Sequence, residues 1–395
     1  MTRSEANPGA QPRSLYIHVP FCRHHCGYCN FTVISGRDHL VDDWLECVRQ
    51  ELGRFADLPT LETVYLGGGT PSRLSADHLQ RLLDLVAGHF QLAPDAEITL
   101  EANPEDLPGE LATVIEQGLV NRISLGVQSF QPARLRQLDR DHTPEQIERA
   151  LDFVRETVPR FSLDLIFGLR DDSPSSWLDD LQRAIETSAG HVATYQLTME
   201  KGTRFWNRQW HGDDPGTNEE TAARLYLMAL RRLTAAGLEH YEISAFARSG
   251  QRSRHNQVYW SGKPWIGIGP GAAGFEHGIR YTNHRSVYRY LQRIRQGQSP
   301  VAESVVVPAG EQALDGILFG LRQIEGVNLE HWQDQHGIPL DEVIGPGELE
   351  WLQTHRLATL EGNCLRLTRS GLLVADSVCQ RLLASSPVAP PDQSP

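Results

Sequence analysis

The sequence predicts an α/β fold: a partial barrel of six strand–helix units, followed by a small domain that mixes helices and strands. Two observations predict it. Short β-rich runs alternate with amphipathic helical segments over residues 14–200, which is typical of parallel strands joined by crossover helices. Near residue 200 the alternation stops, and the last hundred residues hold helical segments followed by a pair of short strands.

Each predicted strand is an apolar run of four to six residues bounded by turn residues. Six strands, rather than the eight of a closed α/β barrel, predict a partial barrel. In chain order the predicted strands are Leu15–Val19, Thr63–Leu66, Ala96–Leu100, Arg122–Gly126, Ser162–Phe167 and Val192–Leu197.

The segments between these strands carry apolar residues at helical spacing. In the first of them, Trp44, Val48 and Leu52 fall on one face. The predicted crossover helices are Leu40–Phe55, Leu79–Phe90, Glu110–Gln117, Pro144–Thr157 and Ser175–Ala189.

Residues with unusual chemistry follow the carboxyl ends of these strands. Three cysteines follow the first strand, Gly67–Gly69 follow the second, and Glu101 ends the third. Gln128 follows the fourth strand, and Asp164 lies within the fifth. Because a parallel barrel collects its strand ends at one face, we expect a single site there.

The chain divides into five predicted segments. They are, in order, a disordered N-terminus (1–13), the barrel (14–200), an extension of the barrel (201–298), a winged-helix-like α+β domain (299–383) and a disordered tail (384–395). Within the extension, residues 201–217, rich in Gly, Asp and Trp, and residues 251–278, rich in glycine and aromatic residues, are predicted loops. Glu219–Ala236 between them is a predicted helix.

Composition argues against several classes of protein. Lys and Arg number 37 against 50 Asp and Glu, a net charge of −13, so nucleic acid is a poor candidate partner. No stretch approaches the length of apolar sequence that a membrane span needs, and the polar start lacks an export signal. Six cysteines are too few for a disulfide scaffold. We therefore expect a cytoplasmic protein.

The strongest signal is a group of three cysteines, Cys22, Cys26 and Cys29, in the spacing C-x3-C-x2-C. Three thiolates can hold three corners of a four-iron cube and leave the fourth iron free for another ligand. This iron–sulfur interpretation is favoured over two alternatives. One is a group of buried thiols without metal. The other is a zinc site with a fourth ligand from His18, His24 or His25.

The cysteines belong to a longer pattern. Residues 16–22 read YIHVPFC, and further motifs are GGGTPS (67–72), EANP (101–104), SLGVQSF (124–130), DLIFG (164–168) and YQLTME (195–200). Together they resemble the radical S-adenosylmethionine (radical SAM) superfamily. More narrowly, the chain is similar to the branch related to oxygen-independent coproporphyrinogen III oxidase, from Leu15 to about Leu383.

The resemblance implies a partial (β/α)6 radical SAM barrel that carries a [4Fe-4S] cluster, bound by the three cysteines, and S-adenosylmethionine. Tyr16 would pack against the adenosine. Gly68, Gly69 and Thr70 would approach the methionine end through backbone groups, which the missing Cβ of glycine makes easier. Other positions match residues that contact this cofactor or a second one: Glu101, Gln128, Arg140 and Asp164.

Two features favour a heme-carrying branch over the oxidase. The oxidase has a further cysteine two residues after the third one, where this chain has Phe31. Residues 255–260 read HNQVYW, the H-N-x-x-Y-W pattern of heme chaperones. The resemblance implies that His255 ligates heme iron and that Tyr259 and Trp260 offer aromatic faces to the porphyrin. Basic residues near the motif could meet the propionates: Arg248, Arg252, Arg254 and Lys263.

The sequence thus predicts a heme chaperone that binds heme and transfers it to apo-hemoproteins, such as respiratory enzymes at the inner face of the membrane. A heme-storage protein is a further partner that the resemblance allows, and any membrane contact is expected to be peripheral. Two alternatives stay open. One is a radical SAM enzyme that oxidatively decarboxylates a substrate such as coproporphyrinogen III, and the other is a zinc-containing structural protein.

Overall fold

The computed structural model describes residues 11–55 and 60–389. Its strands, in chain order, are β1 (Ser14–Val19), β2 (Phe21–Cys22), β3 (Ile34–Ser35), β4 (Leu61–Gly68), β5 (Leu92–Ala102), β6 (Arg122–Gln128), β7 (Arg160–Phe167), β8 (His191–Gln196), β9 (Glu239–Glu242), β10 (Ala245–Ala247), β11 (Ile266–Ile268), β12 (Ala273–Glu276), β13 (Ile279–Asn283), β14 (Val301–Val306), β15 (Val327–Asn328), β16 (Ala358–Glu361) and β17 (Cys364–Leu367). Its helices are α1 (Val41–Leu52), α2 (Ala76–His89), α3 (Ala112–Glu116), α4 (Pro132–Gln137), α5 (Pro144–Thr157), α6 (Pro174–Glu186), α7 (Arg204–Trp210), α8 (Glu219–Ala235), α9 (Arg254–Trp260), α10 (Val287–Arg295), α11 (Ala309–Gly320), α12 (Leu329–His336), α13 (Glu348–Thr354), α14 (Arg369–Leu372) and α15 (Ala375–Ser385). Short 3-10 turns lie at Asp38–Leu40, Pro71–Arg73, Pro104–Asp106 and Leu340–Glu342.

The six predicted strands are confirmed as the parallel centre of a nine-stranded sheet. The order of that sheet is β11-β1-β4-β5-β6-β7-β8-β10-β9. The predicted six are β1, β4, β5, β6, β7 and β8, and each is hydrogen-bonded in parallel to the next. Residues from the predicted extension complete both edges, since β11 pairs in parallel with β1 while β10 and β9 add antiparallel strands beyond β8.

Alternation along the strands separates two faces. On β1, Leu15, Ile17 and Val19 are fully buried beneath the outer helices, while Tyr16 and His18 alternate with them and belong to the inner face. The outer layer buries one apolar side of each long helix. In α5 that side includes Ile147, and the helix begins with a capping box between Thr143 and Gln146. Within the described ranges, no helix combines the length and apolarity that a bilayer crossing needs.

The segments predicted as loops hold short regular elements. Residues 201–217 contain α7, and residues 251–278 contain α9, β11 and β12. The strand Ile266–Ile268 has only three residues, too few for an alternating pattern to stand out in the sequence. It is a strand because β1 offers it a hydrogen-bonding edge, with Leu15 opposite Ile266.

The C-terminal domain has its own apolar core, formed by α11–α15 and the small sheet β15-β17-β16. It joins the barrel through backbone hydrogen bonds from Ile243 N to Arg322 O (3.0 Å) and from Ile324 N to Tyr241 O (3.1 Å). Helix α15 passes the boundary predicted at residue 383 and ends at Ser385. The parts of the predicted disordered ends at 1–10 and 390–395 lie outside the described residues.

Candidate functional site

A cavity of about 700 Å³ opens where the carboxyl ends of the central strands meet. Its volume falls within the range of small-molecule sites, roughly 300–1,000 Å³. Most of the residues predicted from the sequence come together here, although they come from six separate parts of the chain. Those that line the cavity are Cys22, Cys26, Cys29, Gly68, Gly69, Thr70, Glu101, Gln128, Arg140 and Asp164.

The loop that carries the cysteines is fixed to the barrel at several points. Gly27 N donates a hydrogen bond to Asp139 Oδ2 (3.0 Å), and Gly27 O accepts one from Phe205 N (2.9 Å). Cys22 Sγ lies 3.4 Å from Thr70 Oγ1, and Arg140 Nη1 lies 3.8 Å from Cys26 Sγ. The loop is therefore held so that its thiols face the cavity.

Burial raises the pKa of all three cluster cysteines. The pKa of Cys22 rises to about 12, and the pKa values of Cys26 and Cys29 rise for the same reason. Thiolates, not thiols, ligate metals, so a bound metal centre has to displace these protons. Arg140 opposes the effect of burial on Cys26 and favours its thiolate.

The donor set fits an iron–sulfur cube better than a single zinc ion. Each cysteine of a cube binds a different iron, so the sulfurs need not converge on one point. Within residues 11–55 and 60–389, no three His, Cys, Asp or Glu side chains are arranged around a single ion. Of the histidines in the zinc alternative, His18 has both ring nitrogens occupied, by Tyr16 OH (3.1 Å) and Thr32 O (2.7 Å). Nε2 of His24 bonds to Asp139 O (2.6 Å), and Nε2 of His25 bonds to Cys29 O (2.8 Å), which leaves Nδ1 of His25 open.

The glycines at the end of β4 are required by close packing. Gly68 has φ +108°, in the left-handed region, and a Cβ there would collide with the His18 ring. A Cβ at Gly69 would lie 2.7 Å from Val19 O and 2.9 Å from Phe21 O, which are backbone atoms that cannot move aside. These residues therefore hold the end of β4 against the start of the cysteine loop.

Two carboxyl groups lie on the inner face of the cavity. Glu101 accepts hydrogen bonds from Tyr65 OH (2.8 Å) and Gly68 N (2.9 Å), and Asp164 accepts from Ser124 Oγ (3.2 Å). Burial raises the pKa of both groups, and the charge of Glu101 helps to raise the pKa of Asp164 to about 7. Because a nearby cation would lower both pKa values, this part of the cavity favours a positively charged ligand.

Arg140 and Gln128 link the strand ends to the cysteine loop. Arg140 Nη2 donates to Asn103 Oδ1 (2.5 Å) and Gly126 O (3.2 Å), while its other nitrogen faces Cys26. Gln128, at the end of β6, has φ +63°, a conformation that costs a non-glycine residue energy. Residues held in such conformations cluster at functional sites, and Gln128 lines the cavity.

Tyr16 does not reach this cavity. Its ring stacks on Tyr65, with centroids 6.1 Å apart, and its hydroxyl bonds to His18. Tyr65, two positions before Gly67, lines the cavity instead. The predicted contact of Tyr16 with adenosine stays a prediction, and in the described conformation Tyr65 lies between Tyr16 and the carboxyl group of Glu101.

The predicted heme motif lies deeper in the barrel. His255 is 1% exposed, and its ring bonds to Thr63 Oγ1 through Nδ1 (2.8 Å) and to Tyr259 OH through Nε2 (2.8 Å). Burial lowers the pKa of His255 to about 3, so the ring is neutral. Both nitrogens are occupied, so ligation of heme iron by His255 requires at least one of these bonds to break. The ligand role stays a prediction.

Two further observations show how this motif is held. The carboxylate of Glu97, at 0% exposed, accepts hydrogen bonds from Arg254 N (3.2 Å) and His255 N (3.0 Å) and so caps the start of α9. At the other end, the guanidinium of Arg322 lies 4.5 Å above the Trp260 ring. The motif therefore joins the barrel interior to the C-terminal domain.

Three of the four basic residues predicted to meet propionates, all but Lys263, have partners elsewhere. Arg254 bonds to Asp95 (3.1 Å), and Arg252 bonds to Glu325 (2.6 Å) and Glu239 (3.2 Å). Arg248 contacts the backbone at Ala236 O (3.5 Å). To bind heme propionates, these arginines would have to give up their present partners.

Several residues of the cavity did not follow from the sequence. Tyr65 and Ser124 support the two carboxyl groups, and Asn103 receives Arg140. Asn103 did carry a signal, because it directly follows β5 and belongs to the EANP motif, whereas Tyr65 and Ser124 lie within β4 and β6. The others that line the cavity include Glu105, Tyr195, Gln196 and Arg285.

Comparison with protein families agrees with this geometry. Residues 16–184 match the radical SAM superfamily, and residues 307–374 match the HemN C-terminal domain. The chain is 36% identical over 383 residues to the protein named heme chaperone HemW of Mycobacterium tuberculosis, covering 95% of this chain and 96% of that one. It is 33% identical to the heme chaperone HemW of Lactococcus lactis, covering 94% of this chain and 98% of the relative.

Two further comparisons concern a mitochondrial relative and a solved structure. The chain is 33% identical to the mouse protein named radical S-adenosyl methionine domain-containing protein 1, mitochondrial, covering 94% of this chain and 87% of that one. The structure of coproporphyrinogen III oxidase (HemN) from Escherichia coli superimposes with a TM-score of 0.82 at 21% identity, over 95% of this chain and 91% of that one. At this identity the superposition shows the fold, a radical SAM barrel with an appended C-terminal domain.

Proposed function

This chain belongs to the radical SAM superfamily and, within it, to the family of the proteins named heme chaperone HemW, and on that premise we propose that it binds heme and transfers it to apo-hemoproteins. The observation that carries the proposal is the similarity to those chaperones over almost the whole of both chains. Phe31, where the oxidase branch has a further cysteine, supports the same choice.

Cys22, Cys26 and Cys29 hold a [4Fe-4S] cluster in this proposal, and Arg140 beside Cys26 favours the charged form of that ligand. When bound, the cluster offers one iron without a protein ligand and can donate a single electron. The protein contributes a loop that is held to the barrel by hydrogen bonds of Gly27 with Asp139 and Phe205.

S-adenosylmethionine occupies the 700 Å³ cavity in the same proposal. The carboxyl groups of Glu101 and Asp164 favour its positive charge, and the backbone at Gly68 and Gly69 forms the wall next to the cysteine loop. Thr70 connects that wall to Cys22. Gln128 lies across the cavity, held in its strained conformation.

For the heme itself, ligation by His255 makes a definite prediction. A His255→Ala protein should lose heme affinity and change its Soret spectrum if the imidazole binds iron. An unchanged Soret spectrum and unchanged heme affinity would rule the ligand role out. Tyr259 and Trp260 are tested in the same way, because both are predicted to face the porphyrin.

The proposed recipients are apo-respiratory hemoproteins at the inner face of the membrane, reached by a cytoplasmic protein through peripheral contact. To test this, protein loaded with one equivalent of heme is mixed with an apo-cytochrome subunit in membranes and then separated from it. We expect heme to leave the loaded protein and the recipient to gain its native spectrum. This transfer should be faster than transfer from albumin loaded with the same amount of hemin, which is the control carrier. Transfer no faster than from albumin would contradict the proposal.

Radical catalysis is the second candidate function, and the cavity itself favours it. Tyr195, which is exposed, lines the same cavity as the predicted S-adenosylmethionine residues, so a second ligand could contact it there. Coproporphyrinogen III is the obvious substrate to try. Cleavage of S-adenosylmethionine that rises when this substrate is added, with decarboxylated product, would favour the enzyme over the chaperone.

A further inference from the structure

A second cavity, of about 400 Å³, opens directly beside the first. We call it the outer groove and define it by Phe31, Thr32, Gly202, Arg285 and Tyr288, which line it. The two cavities share a set of lining residues, so they form one continuous depression. The shared residues are His25, Cys29, Asn30, Phe31, Val33 and Arg285.

Aromatic side chains are exposed at this depression to an unusual degree. Phe31 is 62% exposed, Tyr288 is 53% exposed, and Tyr195 on the first cavity is also exposed. In the described part of the chain, the one other large aromatic residue that is as open to solvent is Trp210, which lines neither cavity. Apolar rings gathered at one concave surface indicate a ligand that covers them.

Arg285 supplies positive charge to the same groove. Its guanidinium donates to Asn30 O (2.5 Å) and lies 3.3 Å from Thr32 Oγ1. It also lies 3.3 Å from Asn30 Oδ1, so these three contacts are all with uncharged oxygens. A guanidinium has five N–H donors, so it can receive the carboxylate of a ligand while keeping these contacts.

His25 lines both cavities at the place where they meet. Its Nε2 bonds to Cys29 O (2.8 Å), and because a carbonyl can only accept, the proton of the neutral ring is on Nε2. The Nδ1 atom then carries the lone pair, and it has no hydrogen bond to any part of the chain that the structure describes. His255, in contrast, has both nitrogens occupied.

We propose that the outer groove is the heme site, which rests on the proposed function. Phe31 and Tyr288 pack against the faces and edge of the porphyrin, and Arg285 receives a propionate. His25 offers an imidazole nitrogen to the iron. This assignment places heme at the mouth of the cluster cavity and leaves the HNQVYW motif as part of the barrel interior.

The test is a set of hemin titrations, followed at the Soret band, on anaerobically cluster-reconstituted protein. The variants are Tyr288→Ala, Phe31→Ala and Arg285→Gln, and Trp210→Ala is the matched control because Trp210 is an exposed aromatic residue outside both cavities. We expect the first three variants to raise the Kd for hemin at least tenfold and Trp210→Ala to leave it unchanged. Iron content is measured in each, because Phe31 is close to Cys29.

The outcomes separate the two proposals. If the wild-type protein does not bind hemin saturably, the proposed function fails, and the groove assignment fails with it. If the wild-type protein binds hemin but Tyr288→Ala and Phe31→Ala bind it equally well, only the groove assignment is overturned. Loss of binding in a folded His255→Ala protein, with normal binding in Tyr288→Ala, would likewise overturn the groove in favour of the buried motif.

Discussion

His255 packs against Tyr65 inside the barrel, with ring centroids 5.1 Å apart. Tyr65 in turn donates a hydrogen bond to Glu101 Oε1 (2.8 Å), and Glu101 accepts another from Gly68 N (2.9 Å). The predicted heme motif is thus connected through one tyrosine to the predicted S-adenosylmethionine site. In this conformation His255 packs against Tyr65 and so helps to hold the tyrosine that bonds to Glu101 in the predicted S-adenosylmethionine site.

Replacing His255 should therefore weaken S-adenosylmethionine binding as well as stability. In His255→Ala, Thr63 and Tyr259 lose a buried hydrogen-bond partner and Tyr65 loses its support, so we expect a loss of about 2–3 kcal/mol in the free energy of unfolding. Equilibrium dialysis should show affinity for S-adenosylmethionine lowered several-fold. His331→Ala, at an exposed helix position, is the control and should match wild type. Unchanged S-adenosylmethionine affinity in a destabilised His255→Ala protein would contradict this connection.

Removing any one cluster cysteine should abolish the cluster. Each thiolate holds a separate iron, so Cys22→Ala, Cys26→Ala and Cys29→Ala should each lose the visible cluster absorbance and the iron, which we expect at about four per chain in wild type. Cys379→Ala, in the C-terminal domain, should keep both. Reconstituted wild-type protein that contains stoichiometric zinc and no iron would contradict the iron–sulfur assignment.

Gly69→Ala should disturb the cysteine loop. Its Cβ would lie 2.7 Å from Val19 O, and the backbone must shift to relieve that contact, so cluster incorporation should fall and unfolding should become easier. Gly88→Ala is the matched control, because a Cβ there meets nothing within 4 Å and Gly88 lies in helix α2. That substitution should stabilise the protein by about 0.5–1 kcal/mol. Equal cluster content in the two variants would count against the packing argument.

Glu51 should make stability depend on pH. This buried carboxyl group accepts hydrogen bonds from Tyr290 OH (2.6 Å), Gly269 N (3.0 Å) and Asn283 Nδ2 (2.6 Å), yet burial raises its pKa from 4.5 to about 7. The folded protein then binds a proton more tightly than the unfolded chain, so this contribution to stability is complete below pH 4.5. It is lost as pH rises through about 7.

We expect wild type to lose stability between pH 4.5 and 7 relative to Glu51→Gln, by about 3 kcal/mol. Urea unfolding across this pH range measures the difference. Glu116→Gln, at an exposed glutamate, should follow the wild-type curve. Parallel pH curves for wild type and Glu51→Gln would show that Glu51 stays ionised throughout.

The central strands followed from the sequence because each is determined by local pattern. Leu15, Ile17 and Val19 alternate with inner-face residues, and turn residues bound the run. The three cysteines could be singled out from spacing alone, since eight residues of loop are enough to define a metal-binding pattern, and their role as cluster ligands stays a prediction. Helix α9 and strand β11 did not, because their stability comes from distant partners such as Glu97 and β1.

The surroundings of His255 show that contacts with distant residues also limit what the sequence predicts about a binding residue. The HNQVYW pattern predicts an imidazole next to aromatic rings, and the structure does place Tyr65 and Tyr259 beside it. The pattern contains no information about Thr63, 192 positions away, which occupies Nδ1. Whether a histidine is open to a ligand is decided by such tertiary contacts.

The most direct test of the central claim is an anaerobic hemin titration of the cluster-reconstituted wild-type protein, followed at the Soret band. The account predicts a saturable change that ends near stoichiometric heme, and it predicts that apo-hemoproteins then remove that heme. A change that grows without saturation as hemin is added, or no change beyond that of free hemin, would contradict the account.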